Sequence, residues 1–181
     1  MKTIALFGGS FDPPHIGHEA IVRALLNFKE IEKVVIMPTF LNPFKSSSHA
    51  PAELRLKWLH AIFDSFERVE INSYEVNLKK KTPTIESVKY LLAKYKKIYL
   101  VIGADNLATL TKWTEYDALK KLVTFIVCTR DGVDIPDNML QIKIDESVSS
   151  TDLRKHMEMS KLAAPCAQEI KNYYTKEKNE N

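Results

Sequence analysis

The chain predicts a single Rossmann-like α/β domain built on a doubly wound parallel sheet. Three observations point there. Short runs rich in Val and Ile recur along the sequence, stretches of helical periodicity separate them, and a glycine-bearing turn closes the first run. Strands buried on both faces read as near-continuous apolar runs, which is how these runs read. Ligand sites in such sheets open at the carboxyl ends of the strands, where the strand order reverses.

The elements follow in order. Thr3–Phe7 is the first predicted strand, and the turn Gly8-Gly9-Ser10-Phe11-Asp12-Pro13-Pro14-His15-Ile16-Gly17-His18 leads from it into a helix. Ile16, Ala20, Ile21, Ala24, Leu25 and Phe28 share that helix's apolar face. Lys33–Met37 is the second strand. The polar stretch from Pro38 to Pro51, carrying Lys45 before three serines, predicts a long flap. A second helix presents Leu54, Trp58, Leu59, Ile62, Phe63 and Phe66, with Trp58 read as core. Val69–Asn72 is a third strand, and Ile85, Val88, Leu92 and Tyr95 mark a third helix. Ile98–Ile102 and Val123–Cys128 are further strands, Arg130 to Asn138 is irregular, and Leu140–Ile144 is strand-like. Ser149-Ser150-Thr151-Asp152-Leu153-Arg154 opens a short helix, with Ser150 or Thr151 as its cap. One domain covers residues 1–174, and Thr175–Asn181 is a charged tail expected to fray.

Bulk composition bounds the function. The chain has 181 residues, 45% hydrophobic and 27% charged, with a net charge of +3. Modest charge and the lack of an aromatic-basic stripe argue against a nucleic-acid partner. No apolar run reaches membrane-spanning length and no signal-peptide core stands at the start, so a cytoplasmic location and no membrane partner are expected. Cys128 and Cys166 are too few and too far apart for a disulfide or zinc framework. The sequence carries no signal for oligomeric state.

The first turn holds three of the chain's five glycines and two of its five histidines. Backbone N–H groups at such a turn and at a helix N-terminus form an anion site. His15 and His18, about one helical turn apart, reach the same side. Taken singly, these residues describe a proline-stiffened turn with histidine caps; a His-x-x-His pair can also hold a metal, but no third ligand joins it. In combination they point to a phosphate. At the second cluster, Arg154 is expected on the first helical turn, aimed at a phosphate that the helix N-terminus also holds. His49, His60 and His156 are read as surface or packing residues, and Lys79-Lys80-Lys81 as a solvated loop.

Gly9-Ser10-Phe11-Asp12-Pro13-x-His15-x-Gly17-His18 with Ser149-Ser150-Thr151-x-x-Arg154 resembles the bacterial nicotinate-nucleotide adenylyltransferases, within the HxGH nucleotidyltransferase superfamily. Pro38…Pro43-x-Lys45…Arg55, Thr84-x-Glu86-Ser87, Ile102-Gly103-Ala104-Asp105 and Lys112-Trp113 resemble further landmarks of that family, in order along nearly the whole chain. Phe44 stands where the family often has His, and Pro83 where it often has Tyr.

The resemblance implies adenylyl transfer from ATP to nicotinate mononucleotide. It places His15, His18, Lys45 and Arg154 in catalysis, with Gly8, Gly9, Ser10, Phe11, Gly103, Asp105, Ser150 and Thr151 joining the histidines and Arg154 around ATP. Lys45, Thr84, Asp105 and Trp113 would meet the mononucleotide; Trp113 reads equally as a core aromatic. A phosphate monoester is already a strong anion at neutral pH, so it needs alignment and charge relief rather than a base. Mg²⁺ is expected to arrive with ATP, with no protein metal site. The alternatives are a nicotinamide-mononucleotide or phosphopantetheine adenylyltransferase. From a different class, a non-catalytic nucleotide-binding module is weighed against the missing Gly-x-Gly-x-x-Gly.

Overall fold

Six of the apolar runs become parallel strands: β1 (Thr3–Gly9), β2 (Lys33–Pro38), β3 (Val69–Ile71), β4 (Lys97–Gly103), β5 (Thr124–Thr129) and β6 (Leu140–Lys143). The structure is a computed structural model that describes residues 2–129, 134–146 and 148–180. The strands pair in the order β3-β2-β1-β4-β5-β6. β1 therefore lies between β2 and β4, with Ala5 opposite both Val34 and Tyr99. The order reverses between β1 and β4, so the crevice above Gly9 and Gly103 is where this topology opens a site.

Alternation along the strands feeds two cores. Ala5 and Phe7 of β1 face a cluster with Val22 and Leu25 of α1 (Ile16–Leu26), Trp58, Leu59 and Phe63 of α2 (Ala52–Phe63), and Ile170 and Tyr174 near the chain's end. Ile4 and Leu6 face the other, with Ile85, Val88 and Leu91 of α4 (Thr84–Leu92) and Leu119 of α5 (Tyr116–Leu122). Each large apolar side chain so enclosed is worth about 1.5–3 kcal/mol. Trp58 is fully buried, with its ring edge-on to Tyr173, as its periodic position predicts. Cys128 and Cys166 are buried and free, and burial pushes their thiols up to about 12 and about 11.

Three helices lie where no periodicity announced them. α3 (Tyr74–Leu78) follows β3, α5 follows a 3-10 segment over Ala104–Lys112, and α7 (Ala167–Glu180) closes the chain. α7 runs through residues 175–180, so the stretch expected to fray continues as helix. It is held because Ile170 and Tyr174, one turn apart, are buried. Of the irregular stretch Arg130–Asn138, residues 130–133 lie outside the described ones, and 134–138 leads into β6 without regular structure.

Candidate active site

The turn after β1 is shaped by a left-handed residue that is not a glycine. Phe11 has φ 49°, and its ring is 2% exposed, packed edge-on against Phe7 at 5.3 Å and His18 at 4.8 Å. The ring of Phe11, a residue the resemblance places around ATP, lies in the core against Phe7 and His18. Only its backbone remains for a ligand.

His15 is the N-cap of α1 and His18 stands three residues on. Their rings stack, 3.7 Å between centroids. The backbone N–H of His15 donates to His18 Nδ1 at 3.1 Å, which leaves the proton of a neutral His18 on Nε2. Burial, and next the neighbouring His15, hold the His18 pKa well below its ordinary value. His18 is thus a neutral imidazole with a fixed tautomer and an outward N–H donor. Gly17 permits the stack: a Cβ there would meet two atoms of the His15 ring at 3.0 Å.

Two buried charges brace this turn. Asp12, 3% exposed, accepts from the backbone N–H groups of His49 at 2.8 Å and Ala50 at 3.0 Å, and from the Tyr174 hydroxyl of α7. Arg55 of α2 is fully enclosed and donates to the carbonyls of Ala50 (3.0 Å), Thr39 (2.8 Å), Phe40 (2.9 Å) and Ser10. Both ends of the flap predicted over Pro38–Pro51 are thereby tied to the nucleotide turn. Between them, Asn42 accepts from the backbone of Phe44 (2.9 Å) and Lys45 (2.9 Å), and Phe44 and Lys45 stand exposed.

The second motif meets the first. α6 (Ser150–Lys155) is capped by Ser149, whose Oγ accepts from the Asp152 backbone at 3.0 Å. This corrects the expectation that Ser150 or Thr151 is the cap. Ser150 Oγ instead donates to the Pro13 carbonyl at 2.9 Å. Arg154 is the fifth residue of α6, in its last turn rather than its first. Its guanidinium donates to the Asp12 carbonyl and, at 3.2 Å, to Thr151 Oγ1. The two separated stretches of sequence therefore share one turn.

A cavity of about 340 Å³ opens beside it, at the ends of β1 and β4. Gly8, Gly9, Ser10, Lys45, Thr84, Gly103, Asp105 and Trp113 line it. Phe11, His15, His18, Ser150, Thr151 and Arg154 are not among its walls; they belong to the turn itself, to α1 with its cap, and to α6. A Cβ at Gly103 would push aside the exposed Asp105 carboxylate, so the glycine leaves that carboxylate its place at the cavity. Trp113 closes the 3-10 segment, with one side toward the cavity and the other on the core of Ile102 and Leu110. Among the described residues no group of three or more His, Cys, Asp or Glu side chains could hold a metal.

Glu75, which no sequence signal singled out, and Ser87, which stands in the Thr84-x-Glu86-Ser87 landmark without an assigned role, also line the cavity. Ser87 Oγ donates to Glu75 Oε1 at 2.6 Å. Burial, with help from the charge of Glu86, raises the Glu75 pKa from 4.5 to about 7. No periodic signal marks Glu75, because α3 is only five residues long. An acid with a raised folded pKa binds its proton more tightly folded than unfolded. Its stabilising contribution is full below pH 4.5 and is lost as pH rises through about 7. Glu75→Gln should therefore melt near the wild type at pH 5 and above it at pH 8, by about 3 kcal/mol. Identical melting differences at both pH values would show that Glu75 ionises normally.

A reversing parallel sheet, a histidine pair at the first helix and a cavity at the switch point define a nucleotide-handling α/β protein. The cytidylyltransferase-like family model matches residues 6–156. The chain is 60% identical over 98% of its length (97% of the relative's) to a Sulfurimonas denitrificans protein named "Probable nicotinate-nucleotide adenylyltransferase". It is 49% identical over 94% of its length (98% of the relative's) to a Nitratiruptor protein of the same name. The chain belongs to the nicotinate-nucleotide adenylyltransferase family of cytidylyltransferase-like proteins. Its fold is also that of a Plasmodium falciparum nicotinic acid mononucleotide adenylyltransferase complexed with NaAD, with TM-score 0.78, 19% identity and 98% of each chain covered. No helix among the described residues is long and apolar enough to cross a membrane.

Proposed function

We propose that the chain transfers the adenylyl group of ATP to nicotinate mononucleotide, releasing pyrophosphate and forming the deamido dinucleotide of NAD biosynthesis. One observation carries this reading. A neutral imidazole donor of fixed tautomer packs on Phe11 of the turn Ser10–Pro13, and Ser10 of the same turn lines a cavity large enough for a pyridine nucleoside. Two substrates held at one turn can meet there.

The mononucleotide phosphate attacks the α-phosphorus. A new P–O bond forms as the bond to the bridging β-phosphate oxygen breaks, and the electron pair leaves with pyrophosphate. His18 Nε2–H donates to an α-phosphoryl oxygen as charge gathers there, and His15 adjoins the triphosphate. Arg154 has N–H groups beyond its two internal bonds for the outer phosphates, alongside the Ser150 and Thr151 amides. Lys45 reaches the reacting centre from the flap. Asp105 takes a ribose hydroxyl, and Thr84 and Trp113 border the pyridine ring. Every one of these side chains except Asp105 is a donor, a cation or an aromatic. That suits a Mg²⁺ held by ATP oxygens and water, where it neutralises phosphate charge. A cytoplasmic location fits such a reaction.

The test is pyrophosphate release from ATP with nicotinate mononucleotide, nicotinamide mononucleotide or pantetheine phosphate as acceptor. The acid mononucleotide should give the highest kcat/KM. Preference for pantetheine phosphate, or release with none of them, would overturn the reading. Trp113→Ala should raise KM for the mononucleotide about tenfold, the worth of a lost ring stack of ~1 kcal/mol or somewhat more, and leave KM for ATP near wild type. Equal changes in both would return Trp113 to the core alone.

A further inference from the structure

We propose that Glu75 is a specificity-determining residue for the mononucleotide: uncharged, it lets the wall formed by the start of α4 accept an acidic ring substituent, and charged, it turns that wall against one. The proposal rests on the reading that the pyridine end of the mononucleotide occupies the cavity.

The geometry is as follows. Glu75 is 6% exposed and stands in the cavity wall with Thr84 and Ser87, which share a face of α4 at i and i+3. Oε1 accepts from Ser87 at 2.6 Å, and Oε2 is buried with no hydrogen-bond partner. A buried carboxylate with one bare oxygen is costly, whereas its protonated form buries no net charge. The Ser87 hydrogen bond favours the charge, and burial outweighs it. β2 brings the apolar Met37 to that wall, and β4 brings Leu100. α4 brings Glu86, whose negative charge opposes ionisation and is itself paired with Lys80 of the preceding loop at 3.1 Å. Lys45 and Asp105 reach the same cavity from the flap and from the end of β4. Glu75 therefore changes charge within the neutral range, in line with its pKa of about 7.

The consequence differs between two ligands that share everything except the ring substituent. A carboxylate at the α4 start is drawn by the positive end of the helix dipole. Ionised Glu75 behind that turn opposes it. An uncharged carboxamide is nearly indifferent to the change. At an effective dielectric of about 20, two like charges within about 12 Å of each other repel enough to weaken the acid roughly tenfold or more.

The experiment measures kcat/KM for nicotinate mononucleotide and nicotinamide mononucleotide from pH 6 to 8.5, or Kd where the amide is not turned over. The two phosphates titrate alike, so the acid-to-amide ratio removes their contribution. The wild-type ratio should fall about tenfold across pH 7, and Glu75→Gln should keep the low-pH ratio throughout. A flat wild-type ratio overturns the proposal without any variant, and so does a fall that Glu75→Gln retains. Turnover of neither mononucleotide overturns the parent reading, and this proposal with it.

Discussion

His18→Ala should lower kcat by about 10²–10³-fold while the protein still folds, because one donor aimed at developing phosphoryl charge is worth that much in acyl- and phosphoryl-type sites. The fold survives because His18 is only half-buried, on the rim of α1, and the core beneath it is made by Phe7 and Phe11. The loss should fall on kcat more than on either KM, as for an interaction made mainly in the transition state. The depressed pKa adds a second expectation: the wild-type kcat should show no titration with an ordinary imidazole midpoint, since His18 is already neutral there. Single-turnover rates and a thermal melt of the variant check both. A kcat within a few-fold of wild type would remove His18 from the chemistry.

Arg55→Ala should be the most destabilising single change, at about 3–5 kcal/mol. The guanidinium is fully enclosed and serves four carbonyls, those of Ser10, Thr39, Phe40 and Ala50. Removing it leaves those acceptors dry and takes a counter-charge from Asp12. For a chain of this length the loss lowers Tm by roughly 10 °C. Arg55→Lys should not restore it, because a single ammonium cannot span four acceptors set around a planar fork. A melting curve that coincides with wild type would mean the flap is anchored by something else. Activity should fall as well, since the same bonds position Ser10 and the base of the flap.

Much of the architecture was legible because it rests on burial pattern. Strands covered on both faces leave unbroken apolar runs, so β1, β2, β4 and β5 lie within a residue or two of their expected places. α3 and α7 were hidden for opposite reasons. The first is a single turn and a half, too short to display a period. The second carries a charged end, and Ala167, Ile170 and Tyr174 alone among its described residues are buried on its inner side. The two end motifs were legible because glycine, proline and histidine have narrow physical uses. Their partners were not. Nothing in a linear reading says that Arg55 or Glu75 is enclosed, since both residue types usually face water. Arg154 shows a subtler limit. Its identity was informative, but its place in the helix depended on whether Ser149 or a later residue caps it, and one residue shifts the turn.

The Tyr174 hydroxyl on Asp12 has a consequence for how the molecule matures. The turn after β1 is translated well before the helix that fastens it. A polypeptide cut short ahead of residue 167 carries every signature motif and lacks the clasp on Asp12. Trimming α7 should therefore loosen a loop 162 residues upstream of that hydroxyl while leaving each of those motifs in place.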